Sequence, residues 1–321
     1  MRQSTNVTLV TCAVAGLALV GGLRKAVGAT PVPDPQAQSQ PPAHAAAPAT
    51  AKPLVKYGSN SAAGRTFTHD GVALYYEVYG AGDPLLLVHG NGSSIGSFKA
   101  QIDHFRKRYK VIAMDSRDQG KSGDSPDEIT YEKMTDDLAA LLDHLKIGPV
   151  NVLGWSDGGI EALLLGARHP AKVTKIAAMA ANLNPSDEAL FPEMLALIKS
   201  MIESMPAAQM DTPQGKRELK VTRMILDHPH IDAKALEAIA APTLVLASDH
   251  DLIRDEHTLE IYHHIPNSQL CIFPNATHFV PYDDPALFDA TVEHFFREPF
   301  VKKDRIRDAL KSWEALKTSL E

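Results

Sequence analysis

Val150-Asn151-Val152-Leu153-Gly154-Trp155-Ser156-Asp157-Gly158-Gly159 reads as a strand running into Gly-x-Ser-x-Gly, with a helical pattern following at once. Strand, sharp turn and helix, in that order, are the context in which a serine becomes a nucleophile: the turn strains its backbone and lifts the hydroxyl off the sheet top. Gly154 and Gly158 flank the serine because a Cβ at either place would crowd the strand-to-helix crossing. A serine hydroxyl is too weakly acidic to attack a carbonyl unaided. It needs a base, and the base needs an orienting acid.

Working outward, residues 65–68 and 72–78 are β-rich runs joined by His69-Asp70-Gly71, a hairpin signal. Residues 84–88 form a continuous apolar run that reads as a buried strand of a largely parallel sheet. A helix is expected over 97–109 and a strand over 110–114. Thr130 can cap a helix whose stripe is Met134, Leu138, Leu141, Leu142 and Leu145, at a 3.6-residue period. After the serine come a helix over 157–169, a strand over 173–181, then a helical stretch from about 182 to 240 that breaks the alternation. The rhythm returns with strands over 242–247 and 269–273 and helices over 256–264 and 285–296. Alternation of this kind implies an open α/β sheet wound on both faces, with ligands beyond the carboxyl ends of the strands. The 182–240 insert is then a helical cap over that edge.

Two polar clusters follow the last two strands. Ser248-Asp249-His250-Asp251 comes after the first, and Pro274-Asn275-Ala276-Thr277-His278 after the second. His278 stands where a base facing the sheet top would sit. The acid is Asp249 or Asp251, and we take Asp251, four positions beyond Ala247. Earlier in the chain His89-Gly90-Asn91-Gly92 ends a strand in a flexible loop that can aim N–H groups inward. The amides of Asn91 and Asp157 are the expected oxyanion donors, the latter at a helix N-terminus. No Gly-x-x-x-x-Gly-Lys loop is present, and His228/His230 and His263/His264 lack the surrounding spacing of a metal site. No metal and no cofactor are expected.

From about residue 64 to 297 the chain resembles the α/β-hydrolase superfamily. The carriers are His89-Gly90, Asp115-Ser-Arg117-Asp118-Gln-Gly120-Lys-Ser122, Gly154-Trp-Ser156-Asp-Gly158, Asp251 and His278. That resemblance implies an eight-stranded, mostly parallel sheet, a cap after the sixth strand, and cofactor-free serine hydrolase chemistry with Ser156, His278 and Asp251 as the triad. Asp118 departs from the glycine usual in that turn. The octapeptide Leu153-Gly-Trp-Ser-Asp-Gly-Gly-Ile160 is similar to the elbow of biphenyl hydrolase-like proteins, which include valacyclovirase-type amino-acid esterases. Asp157, with Trp155 beside it, is accordingly the expected substrate contact, its carboxylate pairing with a cationic group. Haloalkane dehalogenases and epoxide hydrolases carry an aspartate where this chain has Ser156. The expected reaction is cleavage of a small carboxylic ester. A lactone, thioester or carbon–carbon substrate, cofactor-free perhydrolysis, and a non-catalytic small-molecule receptor are the alternatives.

The chain is 321 residues long, with 44% hydrophobic and 22% charged residues, which are globular values. Its net charge of −7 and pI near 6.0 argue against a nucleic-acid partner. Residues 1–29 have the basic start, apolar run and small-residue end of an export signal, so a periplasmic or secreted protein is expected. The apolar run is also at the lower limit for spanning a bilayer, so an uncleaved membrane tether is the alternative. Residues 30–57, rich in Pro and Ala, read as a disordered linker, 58–298 as the hydrolase domain and 299–321 as a charged helix.

Overall fold

A computed structural model describes residues 55–320, and the folded unit begins at Tyr57. The expected export signal (1–29) and most of the expected linker (30–57) therefore lie outside the described residues. The first hairpin joins β1 (Gly64–His69) to β2 (Val72–Tyr79). Asp70 and Gly71 both have positive φ, 45° and 74°, the turn whose twist matches that of paired strands. Next come β3 (Asp83–Val88), α1 (Lys99–Phe105) and β4 (Tyr109–Met114). The expected 97–109 helix is thus shorter, and a 3-10 turn at Ile95–Phe98 leads into it. Its C-terminal end is overridden by tertiary contact. Gly80 and Gly82 lie so close to the carbonyls of Arg106, Arg108 and Tyr109 that a Cβ on either would fall within 2.4 Å of them. The chain has to turn there to enter the sheet.

The middle of the chain follows the expected order: α2 (Tyr131–Leu145), β5 (Val150–Trp155), α3 (Asp157–Arg168) and β6 (Val173–Met179). Thr130 caps α2, its Oγ1 accepting from the Lys133 N–H at 3.3 Å. The insert holds α4 (Pro192–Glu203), α5 (Ala207–Met210), α6 (Pro213–Asp227) and a 3-10 turn at Ala233–Ala238. Then come β7 (Thr243–His250), α7 (Asp255–His264), β8 (Ser268–Thr277), α8 (Val280–Asp283), α9 (Pro285–Arg297) and α10 (Arg305–Leu320).

The eight strands form one sheet in the order β1-β2-β4-β3-β5-β6-β7-β8. Only the β1–β2 and β2–β4 pairs are antiparallel. Leu86 and Val88 of β3 share an apolar cluster with Val152, Ile176, Leu138 and Leu142 of α2, Leu163 of α3 and Ile261 of α7. Leu85 and Leu87 point the other way and are equally buried, so both faces of the sheet are covered. α1 packs with α9, and Gln101 Nε2 donates to Asp289 Oδ1 at 2.9 Å. Ten of the twelve residues of α3 are buried, which makes it the central helix and fixes its first turn, the part that carries the site.

Candidate active site

Ser156 sits between β5 and α3 at φ 59°, ψ −120°. This is a region a non-glycine residue occupies at a cost of roughly 1–3 kcal/mol, so the surroundings must hold it there. They do so through its own N–H, which donates to Met179 O at 2.8 Å, and through two close glycine approaches. A Cβ on Gly154 would lie 1.9 Å from Gly158 O, and one on Gly158 would lie 1.9 Å from Val88 O. Both glycines are required by space, as the sequence suggests.

His278 and Asp251 are brought together by strand register. β7 and β8 run past the ends read from the sequence, and their last pair is His250↔Thr277. Asp251 and His278 are each the next residue, so the sheet sets them side by side. The Ser156 hydroxyl donates to His278 Nε2 at 3.0 Å, and His278 Nδ1 donates to Asp251 Oδ1 at 2.7 Å. Asp251 is itself held by backbone N–H groups, Leu252 at 2.7 Å on Oδ1 and Ser248 at 3.2 Å on Oδ2. Asp249 is elsewhere. It is exposed and accepts from the N–H groups of Asn275 and Ala276, which depress its pKa and staple the β7–β8 ends together.

His89-Gly90 passes directly over the serine: a Cβ on Gly90 would be 3.1 Å from Ser156 Cβ. The fully buried His89 braces this loop against the β4 turn, donating from Nδ1 to Gly90 O at 2.8 Å and accepting from the Ser116 N–H at 3.0 Å on Nε2. Burial pushes its pKa down, so it stays neutral and keeps that accepting nitrogen. Among the turn and cap bonds of the described residues, the amides of Asn91 and Asp157 engage no backbone acceptor.

The side chains around those amides are more tightly bound than the sequence indicates. Asp157 is buried, with Oδ1 accepting from Tyr131 OH and Oδ2 from Asn91 Nδ2, both at 2.9 Å. Desolvation raises its pKa to about 6 against the opposing pull of those two donors and of His278. Asn91 Nδ2 also donates to Val221 O of α6 at 2.9 Å, so Asp157 lies where the insert meets the sheet. Trp155 is buried beside the imidazole, and its Nε1–H donates to His278 O at 2.9 Å. Its polar atom thus holds the histidine turn.

Two groups escaped the sequence reading. Tyr131 directly follows the Thr130 cap and carried no catalytic signal. Lys220 of α6 donates to Asp118 Oδ1 at 2.8 Å and also to the carbonyls of Ser125 and Asp127. Asp118 has φ 61°, which explains the glycine usual at that position. Here the side chain that replaces it is used to hold the insert. The odd residue in the Asp115–Ser122 turn was the available signal. Among the described residues no group of three or more His, Cys, Asp and Glu is placed to hold a metal ion.

A family profile described as the alpha/beta hydrolase fold matches residues 83–202. The chain is 27% identical over 246 residues to serine hydrolase BPHL of Homo sapiens, spanning 71% of this chain and 84% of that protein. It is 31% identical over 113 residues to 3-oxoadipate enol-lactonase 2 of Acinetobacter baylyi, spanning 35% of this chain and 42% of that one. Among solved structures it is similar to a thermophilic esterase from Thermogutta terrifontis, with 26% identity and TM-score 0.57 over 74% of this chain and 97% of that chain. The eight-stranded sheet, its helices on both faces and these likenesses agree: the chain is a hydrolase with the α/β-hydrolase fold.

Proposed function

We propose that the protein cleaves carboxylic esters through an acyl-enzyme on Ser156. The observation that carries this reading is the unbroken line from Ser156 Oγ to His278 Nε2 at 3.0 Å and from His278 Nδ1 to Asp251 Oδ1 at 2.7 Å. In the first half-reaction Ser156 Oγ bonds to the acyl carbon as its proton passes to His278 Nε2. Asp251 keeps Nδ1 protonated and steadies the imidazolium. The tetrahedral oxyanion is met by the amides of Asn91 and Asp157, donors fixed before the reaction begins. The C–O bond to the alcohol then breaks, and the alcohol takes the proton from Nε2. In the second half-reaction His278 takes a proton from water, hydroxide adds to the acyl carbon, and the acid leaves Ser156 as its Oγ is reprotonated.

On the substrate side, Asp157 is proposed to meet a cationic group of the substrate beneath the insert. Its carboxylate already serves Asn91 and Tyr131, so such a group adds a third partner to a buried charge. Export through residues 1–29 belongs to the same proposal and rests on their composition. A panel of p-nitrophenyl esters, lactones and thioesters tests the reaction. Burst release of p-nitrophenol followed by steady turnover is expected, and turnover of thioesters or lactones with esters inert would replace the ester reading.

A further inference from the structure

The hydrolase fold closes with α9, yet the chain continues into α10. Ile306, Leu310, Trp313 and Leu316 fall at helical spacing on one face of it and are 52–72% exposed. Val301, just before the helix, is 59% exposed. An isolated helix of sixteen residues is marginal in water, because tertiary burial of an apolar face normally supplies most of a helix's stability. This face therefore calls for an apolar surface to rest on.

Charge and residue type indicate which surface. Six lysines and arginines and three acids lie between Lys302 and Lys317, in a chain whose net charge is −7. The helix is thus a local basic patch on an acidic protein. Arg305 and Arg307 flank the apolar face on either side at helical spacing. Lys317 falls within it, its Nζ 5.6 Å from the centroid of the Trp313 ring. A lysine and a tryptophan on the apolar stripe suit a bilayer boundary, where the indole sits at headgroup level and the ammonium reaches out to the lipid phosphates. They suit a helix–helix seam poorly. A 4-3-4-3 seam through Ile306, Leu310, Trp313, Lys317 and Leu320 would span only about two heptads, with a charge buried in one of them. No helix among the described residues is long and apolar enough to cross a membrane, so contact would be interfacial.

We propose that α10 is an interfacial helix that seats this protein on an anionic lipid surface, with Ile306, Leu310, Trp313 and Leu316 in the headgroup–acyl boundary and the basic residues over the phosphates. The test uses the full chain, its Leu310→Glu/Trp313→Glu variant and a Trp313→Phe control. Each is mixed with vesicles of phosphatidylcholine containing 30% phosphatidylglycerol, and with pure phosphatidylcholine vesicles. The chain has two tryptophans and Trp155 is buried, so a blue shift of emission on binding reports Trp313. Residues 1–29 are common to all three proteins and contain no tryptophan. The expected result is a blue shift on the anionic vesicles that is absent in Trp313→Phe. Apparent affinity should be roughly tenfold or more above that for the neutral vesicles and weaken at high salt, as electrostatic attraction requires. By co-sedimentation with the same vesicles, a readout that does not need Trp313, Leu310→Glu/Trp313→Glu should bind at least tenfold more weakly than the parent while keeping its hydrolytic activity. No shift on anionic vesicles, or equal binding to both kinds, would overturn the proposal. So would a dimer by light scattering that the double glutamate variant abolishes in a chain indifferent to vesicles, which would make a second copy the occupant.

Discussion

Lys220→Met removes one of the contacts that hold the helical insert, the one made to Asp118 and the carbonyls of Ser125 and Asp127. The Asp118 carboxylate it leaves is almost wholly buried, its side chain 1% exposed, while that of Lys220 is 29% exposed. Breaking a fully buried ion pair by removing one partner costs roughly 3–5 kcal/mol. Here the lysine is partly hydrated and Asp118 Oδ2 keeps the Ser125 N–H at 3.1 Å, so a loss of about 2–3 kcal/mol is expected. Asp118→Gly added to that variant removes the orphaned charge and also relieves a non-glycine residue from φ 61°, worth about 1 kcal/mol. The double variant should therefore be more stable than Lys220→Met alone. Equilibrium urea unfolding of the four proteins gives the cycle. A Lys220→Met loss under about 0.5 kcal/mol, or a double variant no better than the single, would refute the reasoning. Val221, the next residue, holds Asn91 through its carbonyl, so Lys220→Met should also lower kcat more than it raises KM.

Ser156→Ala and His278→Ala should each lower kcat by roughly 10⁴- to 10⁶-fold, and the double variant should add little. Asp251→Asn should cost on the order of 10⁴-fold, measured with p-nitrophenyl acetate, whereas Asp249→Asn should loosen the β7–β8 ends and spare most activity. Asp157 has a folded-state pKa of about 6, above the ordinary 3.8, so ionising it opposes folding: stability should fall as pH rises from about 4 to about 6. Asp157→Asn should remove that slope, about 3 kcal/mol in full, while Asp289, raised to about 6 in the same way, titrates in both proteins and cancels. The same variant should lose about ten- to hundredfold in kcat/KM on α-amino esters and little on matched neutral esters; equal losses would leave Asp157 a structural role only. Amino-terminal sequencing of the exported fraction should begin near Thr30, and intact Met1 on cytoplasmic protein would contradict export.

The sheet was legible because buried parallel strands are written as largely apolar runs: Leu85 to Val88 is apolar throughout, and three of the four residues from Val150 to Leu153 are apolar. Strand ends were less so. Residues 248–250 and 274–277 are polar or contain proline, the composition of a loop, yet they pair through a bulge to His250↔Thr277. That pairing, which the local composition does not announce, is what brings Asp251 beside His278. Ser156 and its glycines could be read because steric demand at a tight crossing leaves a local signature. The links from Tyr131 and Lys220 to the site could not, since each joins residues distant in sequence and neither residue type is unusual on a helix. Asp118 was noticed as a departure, but its partner lies 102 residues away.

The central claim is that Ser156 becomes acylated. Rapid quenching of the protein with excess p-nitrophenyl acetate at mildly acidic pH, proteolysis and mass spectrometry test it directly. The account predicts one acetyl group on the peptide carrying Ser156, formed at the rate of the p-nitrophenol burst and absent in Ser156→Ala. Full turnover with that peptide unmodified, or a burst that survives Ser156→Ala, would contradict it.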